Sequence, residues 1–262
     1  MNVVCVQIDS VWENKSANHD KVARLLDAAK PPKDSLIVIA EMFATGFSMN
    51  ATKITDSGNH ETYNFLSQLA KTYSANVMGG LVTTDASGKG RNECVVFSPD
   101  GSELARYCKL HPFTLGGELA NFVKGEKIVT FDLHGFTIAP FICYDMRFPE
   151  AFRIASQRGA NLITVIASWP ARRHQHWVKL LQARAIENQA YVIGVNRCGL
   201  DAENLVHDGQ SMIIAPSGEI LLEAGNTEAT ISAEIQVEEV LEYREKLPFL
   251  RDLRTEFFAD AQ

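Results

Sequence analysis

Three apolar runs in this chain each stop at an ionisable side chain. Leu36-Ile-Val-Ile-Ala40 ends at Glu41, Leu104-Ala-Arg-Tyr-Cys108 at Lys109, and Ile138-Ala-Pro-Phe-Ile142 at Cys143. A thiol, a carboxylate and an ammonium make a sensible chemical set. The thiolate is the nucleophile, a carboxylate can take the thiol proton, and a neighbouring ammonium lowers the thiol pKa and stabilises the oxyanion formed on attack. Taken singly, each residue has a plainer reading: a buried cysteine packs as a small hydrophobe, and charged residues at strand ends are solvated. The recurrence of one pattern at three places favours chemistry.

The elements that must position these residues can be read around them. The run at 137–142 is β-branched and aromatic, as suits a strand buried on both faces, and Pro149-Glu150 then opens a helix. Cys143 therefore stands at the carboxyl end of a strand, where ligands bind in open α/β sheets. Further strands are expected at 3–8, 35–40, 76–83, 103–108, 128–133, 161–167, 191–196, 211–215, 219–222 and 229–234. Helices are expected at 14–30, 61–73, 149–157, 174–189 and 237–246. Turn clusters such as Ser98-Pro-Asp-Gly101 and His134-Gly135 join hairpins. Strands outnumber helices about two to one, and helices recur in only part of the series. The fold class expected is α/β, a four-layer α-β-β-α sandwich of two mixed sheets flanked by helices, with 1–262 as one domain.

Composition narrows the classes of function. With 46% hydrophobic and 22% charged residues the chain has the make-up of an ordinary globular protein. A net charge of -7 without a basic block argues against nucleic acid and a polybasic membrane anchor, and no apolar stretch approaches a membrane span. The amino terminus reads as a first strand and not a signal peptide, so a cytoplasmic location is expected. Five cysteines at 5, 94, 108, 143 and 198 lack Cys-x-x-Cys spacing, and the histidines show no metal spacing. No metal and no cofactor are expected. Cys108 is a second, weaker thiol candidate because it adjoins Lys109.

The sequence resembles the carbon-nitrogen hydrolase, or nitrilase, superfamily. The resemblance rests on Glu41-Met-Phe-Ala-Thr-Gly-Phe47, Tyr107-Cys-Lys-Leu-His-Pro-Phe113, Gly116-Gly-Glu118, Ile142-Cys-Tyr-Asp-Met-Arg-Phe-Pro-Glu150 and the stretch from His176-Trp177 to Tyr191. It implies that Glu41, Lys109 and Cys143 are the catalytic triad, that Glu118 is the additional glutamate beside it, and that the sandwich pairs into a homodimer. Nitrilases proper show Cys-Trp-Glu and carbamoylases Cys-Asn-Asp at the nucleophile, whereas Cys143-Tyr-Asp-Met-Arg147 looks like the amidase branches. Ala167-Ser-Trp-Pro-Ala-Arg-Arg-His-Gln-His-Trp177 and Tyr243-Arg-Glu-Lys-Leu-Pro248 are similar to bacterial omega-amidases. Two positions depart from the family habit: Ala40 stands where proline is common, and Pro112 where leucine is.

The function expected from this resemblance is hydrolysis of the terminal amide of 2-oxoglutaramate or 2-oxosuccinamate through a cysteine thioester. The main-chain N–H of Tyr144 joins Lys109 as an oxyanion donor, because the residue after a nucleophile on such a turn aims its amide at the reacting carbon. The substrate also carries a carboxylate, which a planar guanidinium binds in two places. Arg173, then Arg172, is expected to supply it, with Trp169 and Phe43 as apolar walls. Asp145 and Arg147 are read as structural partners of the nucleophile turn. Open alternatives are another small-amide or nitrile hydrolase of the superfamily, a non-catalytic assembly module, and a redox sensor with Cys108 as resolving thiol.

Overall fold

The central strands carry the longest buried runs of the chain, and their carboxyl ends face one rim. A computed structural model of the chain describes residues 1–256. The first half contains β1 (Asn2–Gln7), α1 (Lys15–Ala29), β2 (Leu36–Ile39), α2 (Ala51–Ile54), α3 (Glu61–Tyr73), β3 (Asn76–Thr84), β4 (Gly90–Phe97), β5 (Glu103–Cys108) and α4 (Glu118–Asn121). The second half contains β6 (Phe131–Leu133), β7 (Phe136–Ile142), α5 (Pro149–Gln157), β8 (Leu162–Ala167), α6 (His174–Asn188) and β9 (Tyr191–Asn196). It closes with β10 (Cys198–Leu200), β11 (Val206–Asp208), β12 (Met212–Ile214), β13 (Ile220–Glu223), β14 (Ala229–Glu234) and α7 (Val237–Lys246).

Two six-stranded mixed sheets result, ordered β14-β1-β2-β3-β4-β5 and β13-β12-β9-β8-β7-β6. In each, three strands run parallel, β1-β2-β3 and β7-β8-β9, and antiparallel hairpins extend them. β8 and β9 are buried at every residue, as expected of parallel strands covered on both faces. The sheets pack face to face. Thr164 on β8 donates its hydroxyl to the Met78 sulfur on β3, and the rings of Tyr107 on β5 and Phe141 on β7 meet edge to face at 5.7 Å. One contiguous buried cluster takes residues from both sheets and from α1, α3, α5 and α6. Thus the four-layer arrangement expected from the sequence is observed.

Local chemistry accounts for the element ends. Asn14 caps α1 by accepting from the Ala17 N–H, and Pro31-Pro32 follows the left-handed residue that caps its carboxyl end, Lys30. Pro149 sits in the first turn of α5, where its missing N–H costs nothing. The short helices α2 and α4 and the β10-β11 hairpin were not expected, because three or four residues carry no usable periodicity. Likewise β6 is shorter than the run 128–133. Most distant from local pattern is the closure of the first sheet by β14, which pairs antiparallel with β1 from Asn2↔Glu234 to Gln7↔Ala229.

Parallel β2, β7 and β8 end at the same rim, and β5, two antiparallel steps from β3, ends there too. Gly80 on β3 lets the chain leaving β2 cross closely. A Cβ at this position would lie 2.6 Å from the Met42 nitrogen, 2.8 Å from the Glu41 Cα and 2.9 Å from the Ala40 carbonyl oxygen. These are backbone atoms and cannot swing aside. Gly80→Ala is expected to cost about 1–3 kcal/mol by overpacking and to displace Glu41. Thermal melts and turnover should fall together; a variant with the parent melting temperature and rate would show that the crossing has slack.

Candidate active site

Cys143 follows β7 directly, in a left-handed conformation with φ of 46°. A non-glycine residue held there is strained, and such strain persists only where neighbours impose it. Asp145, fully buried, supplies the restraint: its carboxylate accepts from the main-chain N–H of Ile142 at 3.0 Å, the N–H of His111 at 2.9 Å and the Tyr107 hydroxyl at 2.7 Å. His111 Nδ1 adds a fourth contact at 2.8 Å, with its ring stacked on Phe148. The turn at Cys143 is therefore pinned to the segment that carries Lys109, and the structural role expected of Asp145 is observed.

Beside this turn the ionisable side chains gather out of water. Lys109 is 1% exposed, and its Nζ lies 2.8 Å from Glu41 Oε1 and 2.8 Å from Glu118 Oε2. Burial alone would drive its proton off, but the flanking carboxylates of Glu118 and Glu41 outweigh that and hold its pKa above the ordinary amine value. Each carboxylate accepts two further hydrogen bonds. Glu41 takes the Ser168 N–H at 2.7 Å and Asn92 Nδ2 at 2.7 Å; Glu118 takes Asn92 Nδ2 at 2.8 Å and the Phe113 N–H at 2.6 Å. The thiol of Cys143 is pushed well above its ordinary value, first by burial and then by the charge of Glu41, while Lys109 and the Ser168 N–H act the other way. At neutral pH it is a thiol, and nucleophilic attack needs a base to take its proton.

Cys143 opens on a cavity of about 370 Å³. Tyr144, Trp169, Arg172 and Arg173 line it, as the sequence places them. Phe43 does not. It is fully buried in the core, its ring 6.2 Å from Phe65 and 5.9 Å from His19; Phe47, four residues on, forms the wall instead. Arg147 keeps structural contacts near the turn, with His176 Nδ1 at 3.2 Å, and also lines the cavity. Its guanidinium lies over the Trp169 ring at 4.8 Å and faces the cavity. Cys108 faces elsewhere, into a separate cavity with Arg91 and Arg106, since neighbours on a strand point to opposite faces, and burial pushes its thiol up to about 11.

Residue types common in any chain hid four participants. Asn92, on β4, bridges the two glutamates; Ser168, after β8, holds Glu41. Asn196 fixes the Trp169 segment by accepting from its N–H at 2.7 Å and donating to its carbonyl at 3.1 Å. His207, on the unexpected hairpin, lines the cavity. The only signal available for Ser168 and Asn196 was their place at the ends of buried runs. A larger cavity of about 700 Å³, bordered by α5 and α7, contains none of the expected site residues.

Comparison with known proteins agrees with this geometry. Residues 2–245 match the protein-family profile described as carbon-nitrogen hydrolase. The chain belongs to the carbon-nitrogen hydrolase family. It is 32% identical to the 2-oxoglutaramate amidase of Bacillus subtilis over 257 residues, covering 98% of each chain. It is 34% identical to the omega-amidase YafV of Escherichia coli K12, covering 96% of each. The fold matches the crystal structure of a CN-hydrolase superfamily protein from Xanthomonas campestris with a TM-score of 0.90 and 28% identity, over 97% of each chain. This carbon-nitrogen hydrolase is thus an amidase-family enzyme with omega-amidase-like relatives. Among its described residues no helix is long and apolar enough to cross a membrane.

His207 adds a pH dependence to the hydrolase. Its Nδ1 lies 3.1 Å from the Leu205 carbonyl and so carries the proton, and Nε2 faces the Ser168 hydroxyl at 3.5 Å. Burial, then the charge of Arg197, pushes its pKa down to about 4 from an ordinary 6.5. As pH falls through that window the unfolded chain binds a proton that the folded one refuses, so stability drops. Above pH 6.5 both states are neutral and the contribution is complete. In His207→Gln the decline of melting temperature between about pH 6.5 and pH 4 is expected to be shallower, measured as a slope so that any uniform loss cancels. An unchanged slope would remove His207 from the acid response.

Proposed function

We propose that the enzyme hydrolyses the terminal amide of a small dicarboxylate monoamide, of the 2-oxoglutaramate or 2-oxosuccinamate type, to the acid and ammonia. One observation carries this reading. Arg147, Arg172 and Arg173 all line the cavity onto which Cys143 opens, and among the described residues none of the three is ion-paired with a carboxylate. Burial and then the charges of Arg172 and Arg147 lower the Arg173 pKa, so this guanidinium sits in a field that an incoming anion relieves. Its plane, over the Phe113 ring at 5.2 Å, leaves N–H groups for a carboxylate. The names of the relatives, a 2-oxoglutaramate amidase and omega-amidases, support the same substrate class.

In this mechanism Cys143 attacks the amide carbon as Glu41 takes the thiol proton. Glu41 returns that proton to the nitrogen, the carbon-nitrogen bond breaks and ammonia leaves a thioester on Cys143. Glu41 then takes a proton from water, which attacks the thioester carbon; the carbon-sulfur bond breaks, the acid leaves, and Glu41 returns the proton to the Cys143 sulfur, restoring the thiol. Lys109 and the Tyr144 N–H stabilise the oxyanion in both steps, and Glu118 holds Lys109.

Two experiments test the roles. The charge of Glu41 raises the thiol pKa, so by electrostatics alone Glu41→Gln would make Cys143 more reactive toward iodoacetamide. As a base, Glu41 makes it less so. Alkylation is expected to slow and ammonia release to fall about a hundredfold or more; faster alkylation would remove Glu41 as base. Lys109→Ala is expected to lose a comparable factor in kcat. For the substrate, Arg173→Ala is expected to raise KM for 2-oxoglutaramate by about tenfold or more, with KM for an uncharged amide such as butyramide unchanged. An equal effect on both would place Arg173 outside carboxylate recognition.

A further inference from the structure

We propose that Asn92 is a positioning residue of the reaction, whose side-chain amide serves as a neutral second donor that lets two carboxylates share one lysine. This rests on the reading of Glu41 as the base. Two glutamates and Lys109 leave one negative charge in excess within a site closed to water. Excess charge in the interior is costly unless donors meet it. Asn92 Nδ2 meets it on both carboxylates at once, with one N–H toward Glu41 Oε1 at 2.7 Å and the other toward Glu118 Oε1 at 2.8 Å.

The orientation of the amide shows its purpose. Only Nδ2 turned inward supplies donors to both glutamates; Oδ1 inward would set a third acceptor against them. The arrangement leaves Oδ1 buried without a hydrogen-bond partner, a local cost accepted for the contacts at the site. The main chain of the same residue accepts the Lys109 N–H at 2.9 Å, so β4 aligns the lysine and its two carboxylates from one position. Asn92 is 1% exposed and does not line the cavity onto which Cys143 opens, hence it acts through Glu41 and Glu118 and not on substrate.

The isosteric change Asn92→Asp keeps the shape and the main-chain contact and replaces donors by an acceptor. An aspartic acid between two carboxylates has its pKa raised. Below that pKa it is a neutral hydroxyl donor that imitates the amide in part; above it a third negative charge enters the site. The variant is therefore expected to lose kcat as pH rises, with a fall of about tenfold or more at pH 8 that recovers on acidification, and with KM nearly unchanged. Asn92→Ala, which has no proton to regain, is expected to lose kcat at all pH values and to slow alkylation of Cys143 by iodoacetamide by about tenfold. Thermal melts of both variants check folding. A profile for Asn92→Asp parallel to the parent, or alkylation of folded Asn92→Ala at the parent rate, overturns the proposal. Glu41→Gln, run alongside, separates the two failures: if it alkylates slowly while Asn92→Ala does not, only the role of Asn92 falls.

Discussion

A lysine ammonium buried between two carboxylates is the constraint around which this site is built. Such a cluster is tolerable only when hydrogen-bond donors and counter-charges meet its charged groups, because the interior screens charge poorly. The contacts of Lys109 therefore reach across the fold: Glu41 from the end of β2, Glu118 from α4, Asn92 from β4, and through Glu41 the Ser168 N–H at the end of β8. Glu41 thus joins the two sheets, since its two oxygens bind partners in different layers. Losing one member would strand the others in a medium where an unpaired charge is expensive.

The turn at Cys143 is held by a second buried anion with separate duties. Asp145 fastens the strained turn at Cys143 to the Tyr107–His111 segment, so the ends of β7 and β5, which carry the thiol and the lysine, are positioned against one another. Strain at Cys143 and close approach at Gly80 have a common logic. Both bring a backbone into a conformation that local preferences disfavour, and both lie where parallel strands end and the sheets leave room for a ligand. The cavity beyond is different in character. Arg147, Arg172 and Arg173 line it, their charges lower the Arg173 pKa, and among the described residues none of the three is ion-paired, although Asp201 and Glu203 also line the cavity.

Much of this was legible in the chain. Alternation between buried runs and turn clusters showed the strands, helical spacing showed α1, α3, α5 and α6, and the abrupt polar endings at 41, 109 and 143 marked the rim where they meet. These are properties of consecutive residues. Asn92 escaped notice because an asparagine inside a hairpin strand looks like any polar residue on a solvated face; only the partner strands reveal that it is buried. Phe43 and Phe47 are both aromatic residues after Glu41, and four residues of irregular chain give no rule for which one faces the cavity. Arg147 reads as part of the turn at Cys143, and only the tertiary structure shows that Trp169, just beyond β8, lies under its guanidinium.

By itself, then, the sequence determined the order of the long strands and helices, the sandwich class and the set of reactive groups, because each follows from apolar period, turn chemistry and residue type within a short window. The tertiary structure alone decided that β14 closes the sheet begun by β1, that one asparagine serves two glutamates, and that three arginines face a single cavity. The reason is physical. Burial, register and the partner of a charge are set by residues far away in the chain, and no local pattern carries the distance between them.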